Sequence, residues 1–407
     1  MKHRFSALGG LLLAGLLACS QPPADTYYQP SKAADFDFSS EQSFARYVAF
    51  EHRKLANHRV FFDARNSELE LERVAPFELP MPDYCPPKPK SAVLLVHGLL
   101  DTAYGLKDIG IALAKSCALV RGILLPGHGT RPADLIGIDR QSWVDAVDFG
   151  IRSFSGAADQ LTIIGFSLGG ALAVDAAADS DEVDRVILIA PALHVAFPWL
   201  AAQSVWYRYL ATWLDIDPHS IPVRYQSMPT DAVAEAYLMG RDARVGLQRG
   251  LSQPVLTFLS ADDLVIDADK VSASLATYLP KQAGNTVIYQ KSAQADEGEK
   301  QFIPVFDPQA KILNFSHVAL PYSPENPIFG AYGSHKECGM NIGIVDRAQA
   351  EECVHNEANW KGEMGSTDNP DFLPIQRLTF NSRFAEMVTM MRDFMGIPDP
   401  QYAYSQD

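Results

Sequence analysis

Between residues 92 and 190 the chain alternates short apolar runs with segments of helical length, and this rhythm restricts the possible folds most. The apolar runs have the length of strands and occupy 92–97, 118–125, 161–166 and 185–190. Segments with the apolar spacing of helices separate them, at 104–114, 142–154 and 168–178. Short strands that are apolar on both faces and alternate with helices indicate βαβ units around a buried parallel sheet.

The alternation stops at Pro191 and resumes with the apolar strand predicted at 255–260. The intervening segment, 195–250, contains no clear strand but many aromatic residues. We expect most of its apolar side chains to pack on the body and some of them to line a pocket. The body then comprises 41–194 and 251–407.

The flanking segments show weaker patterns. Helices are predicted at 40–60, 268–279 and 382–395. Strands are predicted at 67–73, from its alternation, at 286–290, and at 311–315 as the last strand of the sheet. Residues 320–375, rich in Pro, Gly and Asn, are predicted to form a loop-rich C-terminal insertion.

The charge balance restricts the partners. With 34 basic and 49 acidic residues, the net charge is −15. An acidic surface repels phosphate backbones, so we expect no nucleic-acid partner. It also disfavours broad electrostatic attachment to anionic lipid.

The strongest local motif is Gly165-Phe166-Ser167-Leu168-Gly169, a G-x-S-x-G pattern between a predicted strand and an Ala-rich helix. In this setting a sharp turn lifts the Ser167 hydroxyl out of the sheet as a nucleophile, and the N–H of Leu168 faces an incoming oxyanion. Both glycines are expected because side chains there would collide with the neighbouring backbone. The alternative interpretation is a serine that only caps the helix.

Three further segments join this motif in a family resemblance. His97-Gly98-Leu99-Leu100 ends the first apolar run, 125–130 reads LPGHGT, and 258–266 follows the resumed strand. Together they resemble the α/β-hydrolase family, and within it the small carboxylesterases and monoacylglycerol lipases, over about 90–195 and 250–320. The resemblance implies the α/β-hydrolase fold: a mostly parallel central sheet flanked by helices, with a helical cap at 195–250. It also implies that Leu99 supplies the second oxyanion N–H and that His97 and His128 are structural.

The acid and the base follow from chain order, which in this fold runs Ser, acid, His. The segment 260–265 (SADDLV) resembles the family's Gly-x-x-Asp-x-Val, so Asp263 matches the acid, although Ser260 replaces Gly. Asp262 and Asp267 remain alternatives for the acid. His317 follows the predicted last strand and is the expected base, with His335 as the alternative. Because 54 residues separate Asp263 from His317, we interpret 291–310 as an insertion.

The predicted activity is hydrolysis of carboxylic esters with apolar acyl groups, such as acylglycerols or lysolipids, through an acyl-enzyme. No Gly-rich phosphate-binding loop follows a strand and no His-Glu-x-x-His occurs, so we expect neither cofactor nor metal. Two alternatives remain open. One is an amidase or peptidase of the same fold, and the other is an inactive hydrolase-like protein of the cell envelope.

The first nineteen residues predict export. Lys2 and Arg4 precede an apolar run at 8–17 that is too short to span a bilayer comfortably, and the run ends in Leu-Leu-Ala-Cys. This ending resembles the lipobox of bacterial lipoproteins, which implies a signal peptide at 1–18, a lipid on Cys19 and membrane anchoring. Ser20 suggests the outer membrane, by the sorting pattern of that class. Residues 19–40 are interpreted as a tether.

Export also changes the interpretation of the other cysteines, Cys85, Cys117, Cys338 and Cys353. An even number in an oxidising compartment favours disulfides. Of the three possible pairings we favour Cys85 with Cys117 and Cys338 with Cys353, since the second pair brackets a single loop. Zinc is the competing interpretation, but no Cys-x-x-Cys accompanies these thiols.

Overall fold

An eight-stranded sheet forms the centre of the protein, with the order β1-β3-β2-β4-β5-β8-β9-β10. Its strands are β1 (Phe77–Leu79), β2 (Ser91–Val96), β3 (Leu119–Gly122), β4 (Gln160–Phe166), β5 (Arg185–Ile189), β8 (Val255–Ser260), β9 (Gly284–Gln290) and β10 (Lys300–Pro304). Only β1 pairs antiparallel with its neighbour, and every other adjacent pair is parallel. This computed structural model describes residues 25–40, 43–281, 284–339, 353–354, 356, 358–364 and 375–399.

Helices connect the strands and cover both faces of the sheet. In chain order they are α1 (Phe44–His58), α2 (Ser67–Val74), α3 (Lys107–Ala114), α4 (Arg140–Arg152), α5 (Leu168–Asp179), α6 (Pro198–Tyr207), α7 (Thr230–Arg249), α8 (Ala268–Tyr278) and α9 (Phe384–Met395). Every residue of β2 and β8 is buried, as expected for parallel strands with helices on both sides. The predicted alternation and the α/β-hydrolase fold are therefore confirmed.

The segment between β5 and β8 carries α6, α7 and a small two-stranded sheet of β6 (Trp213–Asp215) and β7 (Met228–Pro229). Helix α7 packs on α5 and α6 packs on α7. The prediction that most apolar side chains here pack on the body is confirmed for buried residues such as Tyr225, Met239 and Leu247 but is wrong for the aromatic residues of α6. Phe197, Trp199 and Trp206 are largely exposed, because α6 lies outside α7 and buries only Ser204.

The C-terminal part forms a second small sheet, β11-β13-β12, from β11 (Cys338–Gly339), β12 (Lys361–Gly362) and β13 (Ile375–Arg377). Residues 311–315, predicted as the last strand of the main sheet, run beside β12 instead, where the N–H of Leu313 donates to the carbonyl of Lys361. The last strand is β10, which lies inside the predicted insertion 291–310 and pairs parallel with β9. The favoured disulfides, Cys85–Cys117 and Cys338–Cys353, are both present.

The strand predicted at 67–73 is wrong, because these residues form helix α2. Their alternation of Glu and Leu suggests a strand, but Glu70, Leu71 and Val74 share one buried helical face. The Glu70 carboxylate is tolerated there since Arg59 lies 2.6 Å away and the N–H of Phe62 donates to it. The segment therefore forms a helix, since one helical face can be buried once Glu70 is paired with Arg59.

The structure also differs from the tether predicted over 19–40. From Asp25 onward these residues pack on the body through buried aromatic side chains, since Phe36 contacts Tyr47 and Phe149. Tyr27 stacks on His219 of the cap with ring centroids 4.7 Å apart. The predicted signal peptide at 1–18 and Cys19 lie outside the described residues. Within the described ranges no helix has both the length and the apolarity to cross a bilayer.

Candidate active site

Ser167 occupies the sharp turn between β4 and α5 with φ 52° and ψ −114°, a backbone conformation that is strained for a non-glycine residue. Hydrogen bonds hold it there: its N–H donates to the Ile189 carbonyl at 3.0 Å, and its own carbonyl accepts from Ala192 at 2.9 Å. A Cβ on Gly165 would collide with the Gly169 carbonyl, and one on Gly169 with the Val96 carbonyl. The turn therefore has the geometry predicted for it.

The imidazole of His317 lies beside this serine. Its Nε2 atom is 3.2 Å from Ser167 Oγ, which is hydrogen-bonding distance, and its ring packs against Phe166 with centroids 5.0 Å apart. His317 begins a short 3-10 turn, His317–Ala319. The ring is thus fixed between the strand that leads into the turn and the serine that the turn presents.

Asp263 holds the other side of the same ring. Its Oδ2 atom is 2.7 Å from His317 Nδ1, and its Oδ1 atom accepts from the N–H groups of Val265 and Ile266 at 2.7 and 2.9 Å. The carboxylate side chain is only 2% exposed, and the imidazole 7%. A buried carboxylate with these donors keeps a fixed orientation, so Nδ1 carries the proton and Nε2 faces the serine.

The carboxylate that meets the His317 ring belongs to Asp263 and not to the alternative acids Asp262 and Asp267. Asp267 instead caps α8 by accepting from the N–H of Lys270 at 3.0 Å. His335 Nε2 contacts Glu337 Oε1 at 2.8 Å. Of the residues considered from the sequence, the structure joins Ser167, Asp263 and His317 in one chain of contacts.

Two backbone N–H groups belong to segments beside Ser167. Leu168 is the first residue of α5, so its N–H has no acceptor within the helix. The loop after β2 passes close enough that a Cβ on Gly98 would lie 3.2 Å from Ser167 Cβ, which brings Leu99 to the same place. The two residues predicted to stabilise an oxyanion therefore belong to the two segments that meet at Ser167.

His97 and His128 secure the loop that carries Leu99. His97 Nε2 accepts from the N–H of Leu125 at 3.0 Å, and His128 Nε2 accepts from the N–H of Leu100 at 3.2 Å. Burial lowers the pKa of His97 well below its usual value and that of His128 to about 4, so both rings are neutral acceptors at neutral pH. The same loop contains Leu100 at φ 65°.

Glu363 is a site residue that the sequence analysis missed. Its Oε2 atom accepts the backbone N–H of His317 at 3.0 Å, and its own N–H donates to Asn314 Oδ1 at 2.7 Å. The residue is buried, and Arg377 Nε lies 3.6 Å from Oε1. No local motif marks Glu363, because it lies 46 residues after His317 in the Gly- and Asn-rich insertion.

A half-buried ionic group connects this insertion to the cap. Glu337 Oε1 lies 2.7 Å from Arg224 in the segment before α7, and Oε2 lies 3.2 Å from Arg377. Burial alone would raise the pKa of Glu337, but Arg224, His335 and Arg377 hold it far below its usual value. The carboxylate is therefore ionised, and it ties Arg377, beside Glu363, to the cap.

Asp101 lies next to the Leu99–Leu100 segment and is also buried. Its Oδ1 atom accepts from the N–H of Thr102 at 2.9 Å, and the hydroxyl of Tyr322 lies 3.4 Å from Oδ2. Burial raises its pKa from 3.8 to about 6 despite the opposing effect of Arg224. A buried carboxyl with a raised pKa therefore lies two residues after Leu99.

The arrangement has the parts needed for nucleophilic attack on a carbonyl carbon. A serine hydroxyl requires a base to accept its proton, the base requires an orienting acid, and the oxyanion requires fixed donors. Ser167, His317 and Asp263 are in contact in that order, with Leu168 next to Ser167 in the turn and the loop that carries Leu99 beside it. Their chain order, Ser, Asp, His, is that of α/β-hydrolases.

Comparisons with known proteins identify the family. The family model described as serine aminopeptidase S33 (Hydrolase_4) matches residues 87–292, which is just over half of the 407-residue chain. A protein named thermostable monoacylglycerol lipase, from Bacillus sp. (strain H-257), is 26% identical over 180 residues, covering 43% of this chain and 71% of that protein.

Solved structures with a similar fold include lipolytic enzymes. One, from a study of the metagenome-derived enzymes LipS and LipT, is 21% identical with a TM-score of 0.46, covering 57% of this chain and 88% of that one. The monoacylglycerol lipase of Paleococcus ferrophilus is 17% identical with a TM-score of 0.44, covering 53% and 88%. On the evidence of the family match and its own sheet topology, the chain belongs to the serine aminopeptidase S33 family and is a hydrolase of the α/β-hydrolase fold.

Proposed function

We propose that this protein cleaves carboxylic esters with apolar acyl groups through a covalent acyl-enzyme on Ser167. The observation that carries the proposal is the contact chain from Ser167 Oγ to His317 Nε2 and from His317 Nδ1 to Asp263 Oδ2. This chain supplies a hydroxyl, a base and an orienting carboxylate in the order that acyl transfer requires.

In the proposed reaction, Ser167 Oγ attacks the acyl carbon while His317 Nε2 accepts the hydroxyl proton. The N–H groups of Leu99 and Leu168 stabilise the oxyanion, and each such donor is typically worth about 100- to 1000-fold in turnover. His317 then gives its proton to the leaving alcohol. Water, activated by the same imidazole, attacks the acyl carbon and releases the acid, which restores Ser167.

The preference for apolar, uncharged substrates has support in the cap. Residues 192–207 begin at Ala192, whose N–H donates to the carbonyl of Ser167, and they contain no Asp, Glu, Lys or Arg. The relative named monoacylglycerol lipase adds support for an ester substrate. We therefore favour acylglycerols, lysolipids or similar esters.

An amidase or peptidase activity is the second candidate, since the family description names a serine aminopeptidase. The same serine, base and acid can open an amide. An aminopeptidase must also bind a free amino group, for which a carboxylate is the ordinary partner. We favour the ester because the Bacillus relative, which is 26% identical over 180 residues, is named a monoacylglycerol lipase.

Parallel kinetics distinguish the two candidates. We expect p-nitrophenyl esters of increasing chain length to be hydrolysed with a much higher kcat/KM than aminoacyl p-nitroanilides, with Ser167→Ala as the inactive control. Faster cleavage of the anilides would favour the peptidase. A folded protein that cleaves neither substrate would favour the inactive envelope protein.

We also propose that the protein is exported and held at the outer membrane by a lipid on Cys19. The ending Leu-Leu-Ala-Cys supports this, and the disulfides Cys85–Cys117 and Cys338–Cys353 suit an oxidising compartment. Cells that express the full chain are expected to incorporate labelled palmitate into it, and Cys19→Ala is expected to abolish the label. Label that persists in the variant would contradict the attachment site.

A further inference from the structure

Helix α6 of the cap exposes an unusually apolar surface. We define the cap face as Phe197, Trp199, Leu200, Trp206, Tyr209 and Leu210, each at least 54% exposed. Residues 197–207 contain no charged side chain, and α6 buries only Ser204 of its ten residues. A soluble surface rarely leaves so many large apolar side chains together in water, which indicates that a partner covers them.

The cap face is continuous with the segment that carries the acid of the candidate active site. The N–H of Ala196 donates to the carbonyl of Val265 at 2.9 Å, and Val195 bridges Ile266. The side chains of Leu264 and Val265, directly after Asp263, are 44% and 41% exposed and extend the apolar surface toward the site. Whatever covers the cap face therefore lies next to the approach to Ser167.

The N-terminal segment leaves the described fold beside the same part of the cap. The hydroxyl of Tyr28 donates to the carbonyl of Asp217 at 3.0 Å, and its ring meets Trp213 at 5.9 Å between centroids. Trp213 follows Leu210 of the cap face by three residues. The point where the chain departs toward Cys19 is thus fixed on the cap.

The short distance along the chain limits where a lipid on Cys19 can lie. Only five residues lie between Cys19 and Asp25, and the six steps that join the two span at most about 20 Å when the chain is fully extended. A free tether over 19–40 would allow any orientation of the protein on the membrane. A five-residue connection that departs from the cap keeps the cap close to the lipid surface.

We propose that the cap face rests on the bilayer that holds the N-terminal anchor, with Trp199 and Trp206 at the level of the lipid headgroups. This inference depends on the lipid attachment proposed above. Trp and Tyr concentrate at membrane–water interfaces, and a ten-residue helix is too short to span the bilayer, so α6 lies in its plane. Since the net charge is −15, burial of aromatic surface, not attraction to anionic lipid, stabilises the contact.

The test uses the full lipidated chain in phosphatidylcholine vesicles whose acyl chains carry bromine, which quenches nearby tryptophan fluorescence. The variant is Trp199→Phe with Trp206→Phe, which keeps the surface apolar but removes its two indoles. The matched control is Trp360→Phe, at a tryptophan outside the cap that stacks on Phe306. Flotation with the vesicles and hydrolysis of a soluble short-chain ester are measured on every protein.

We expect all three proteins to float and to cleave the soluble ester. Wild type and Trp360→Phe should be quenched by brominated lipid, and the double variant should lose most of that quenching. Equal quenching in wild type and double variant would overturn the proposal.

The remaining outcomes also decide the question. Protein that stays at the bottom of the gradient would overturn it, because the anchor and the cap face would both have failed to bind lipid. Ester hydrolysis in that sample would show separately that the proposed activity stands. Floating protein that cross-links into dimers, with Trp199 and Trp206 inaccessible to the quencher, would assign the cap face to a second copy and also overturn it.

Discussion

The Nε2 atom of His317 lies 3.2 Å from Ser167 Oγ although 150 residues separate them in sequence. Ser167 is positioned by the turn between β4 and α5, within the region of regular strand–helix alternation. His317 is positioned by the C-terminal insertion, through Glu363 and the segment beside β12. The proposed ester hydrolysis therefore depends on two parts of the chain, the strand–helix turn that carries Ser167 and the C-terminal insertion that holds His317. Substitutions can test each part separately.

The two histidines downstream of Asp263 in the described residues should differ sharply in their importance. His317→Ala removes the proposed base, and we expect kcat/KM for a p-nitrophenyl ester to fall about 1000-fold or more. His335→Ala removes the contacts with Glu337 and Phe329, neither of which touches Ser167, and should retain most of the activity. Equal losses in the two variants, with both proteins folded by circular dichroism, would contradict this assignment.

Glu363 should act as a positioning residue for His317. Glu363→Ala leaves the backbone N–H of His317 without its acceptor, and we expect kcat to fall by up to about 100-fold with KM little changed, since the base shifts and not the substrate pocket. Glu363→Gln keeps a carbonyl oxygen at that position and should recover much of the loss. A normal kcat in Glu363→Ala, or a loss seen only as lowered thermal stability, would rule out the positioning role.

Asp101 should make stability depend on pH. Its folded pKa of about 6 exceeds the ordinary 3.8, so the neutral carboxyl contributes stability below about pH 3.8 that is lost as pH rises through about 6. For a group buried in this way the loss amounts to up to about 3 kcal/mol. We expect Asp101→Asn to unfold at a higher urea concentration than wild type at pH 8, with the difference shrinking toward pH 4.5. A difference that is independent of pH would count against ionisation as its cause.

The two disulfides should stabilise to different extents and affect activity differently. They close separations of 32 and 15 residues, for which the chain-entropy model gives about 4 and 3 kcal/mol. Replacing Cys85 and Cys117 by Ser should lower the free energy of unfolding but preserve kcat in protein that remains folded. Replacing Cys338 and Cys353 should lower both, because Cys338 belongs to β11, which pairs with β13, and β13 carries Arg377 beside Glu363.

If both replacements left the urea midpoint unchanged, the disulfides would not stabilise the fold. A normal kcat after loss of Cys338–Cys353 would show that this disulfide does not help to hold the candidate site in place.

The sequence predicted the parts of the fold that depend on local pattern. The turn at Ser167 was predictable since two glycines, a strand and a helix meet within a few residues. Asp263 was predictable because it comes shortly after the strand that follows the cap. Helix α2 was not, because its alternation matches a strand until the burial of Glu70 with Arg59 is known. Glu363 and the packing of Tyr27 on the cap depend on contacts between distant segments, which no local pattern encodes.

Labelling with a fluorophosphonate probe tests the central claim most directly. Wild type should react at a single serine, identified by peptide mass spectrometry as Ser167, and Ser167→Ala should take up no probe while its circular dichroism spectrum and urea midpoint stay close to those of wild type. Persistent labelling of folded Ser167→Ala would show that another residue is the nucleophile and would contradict the account.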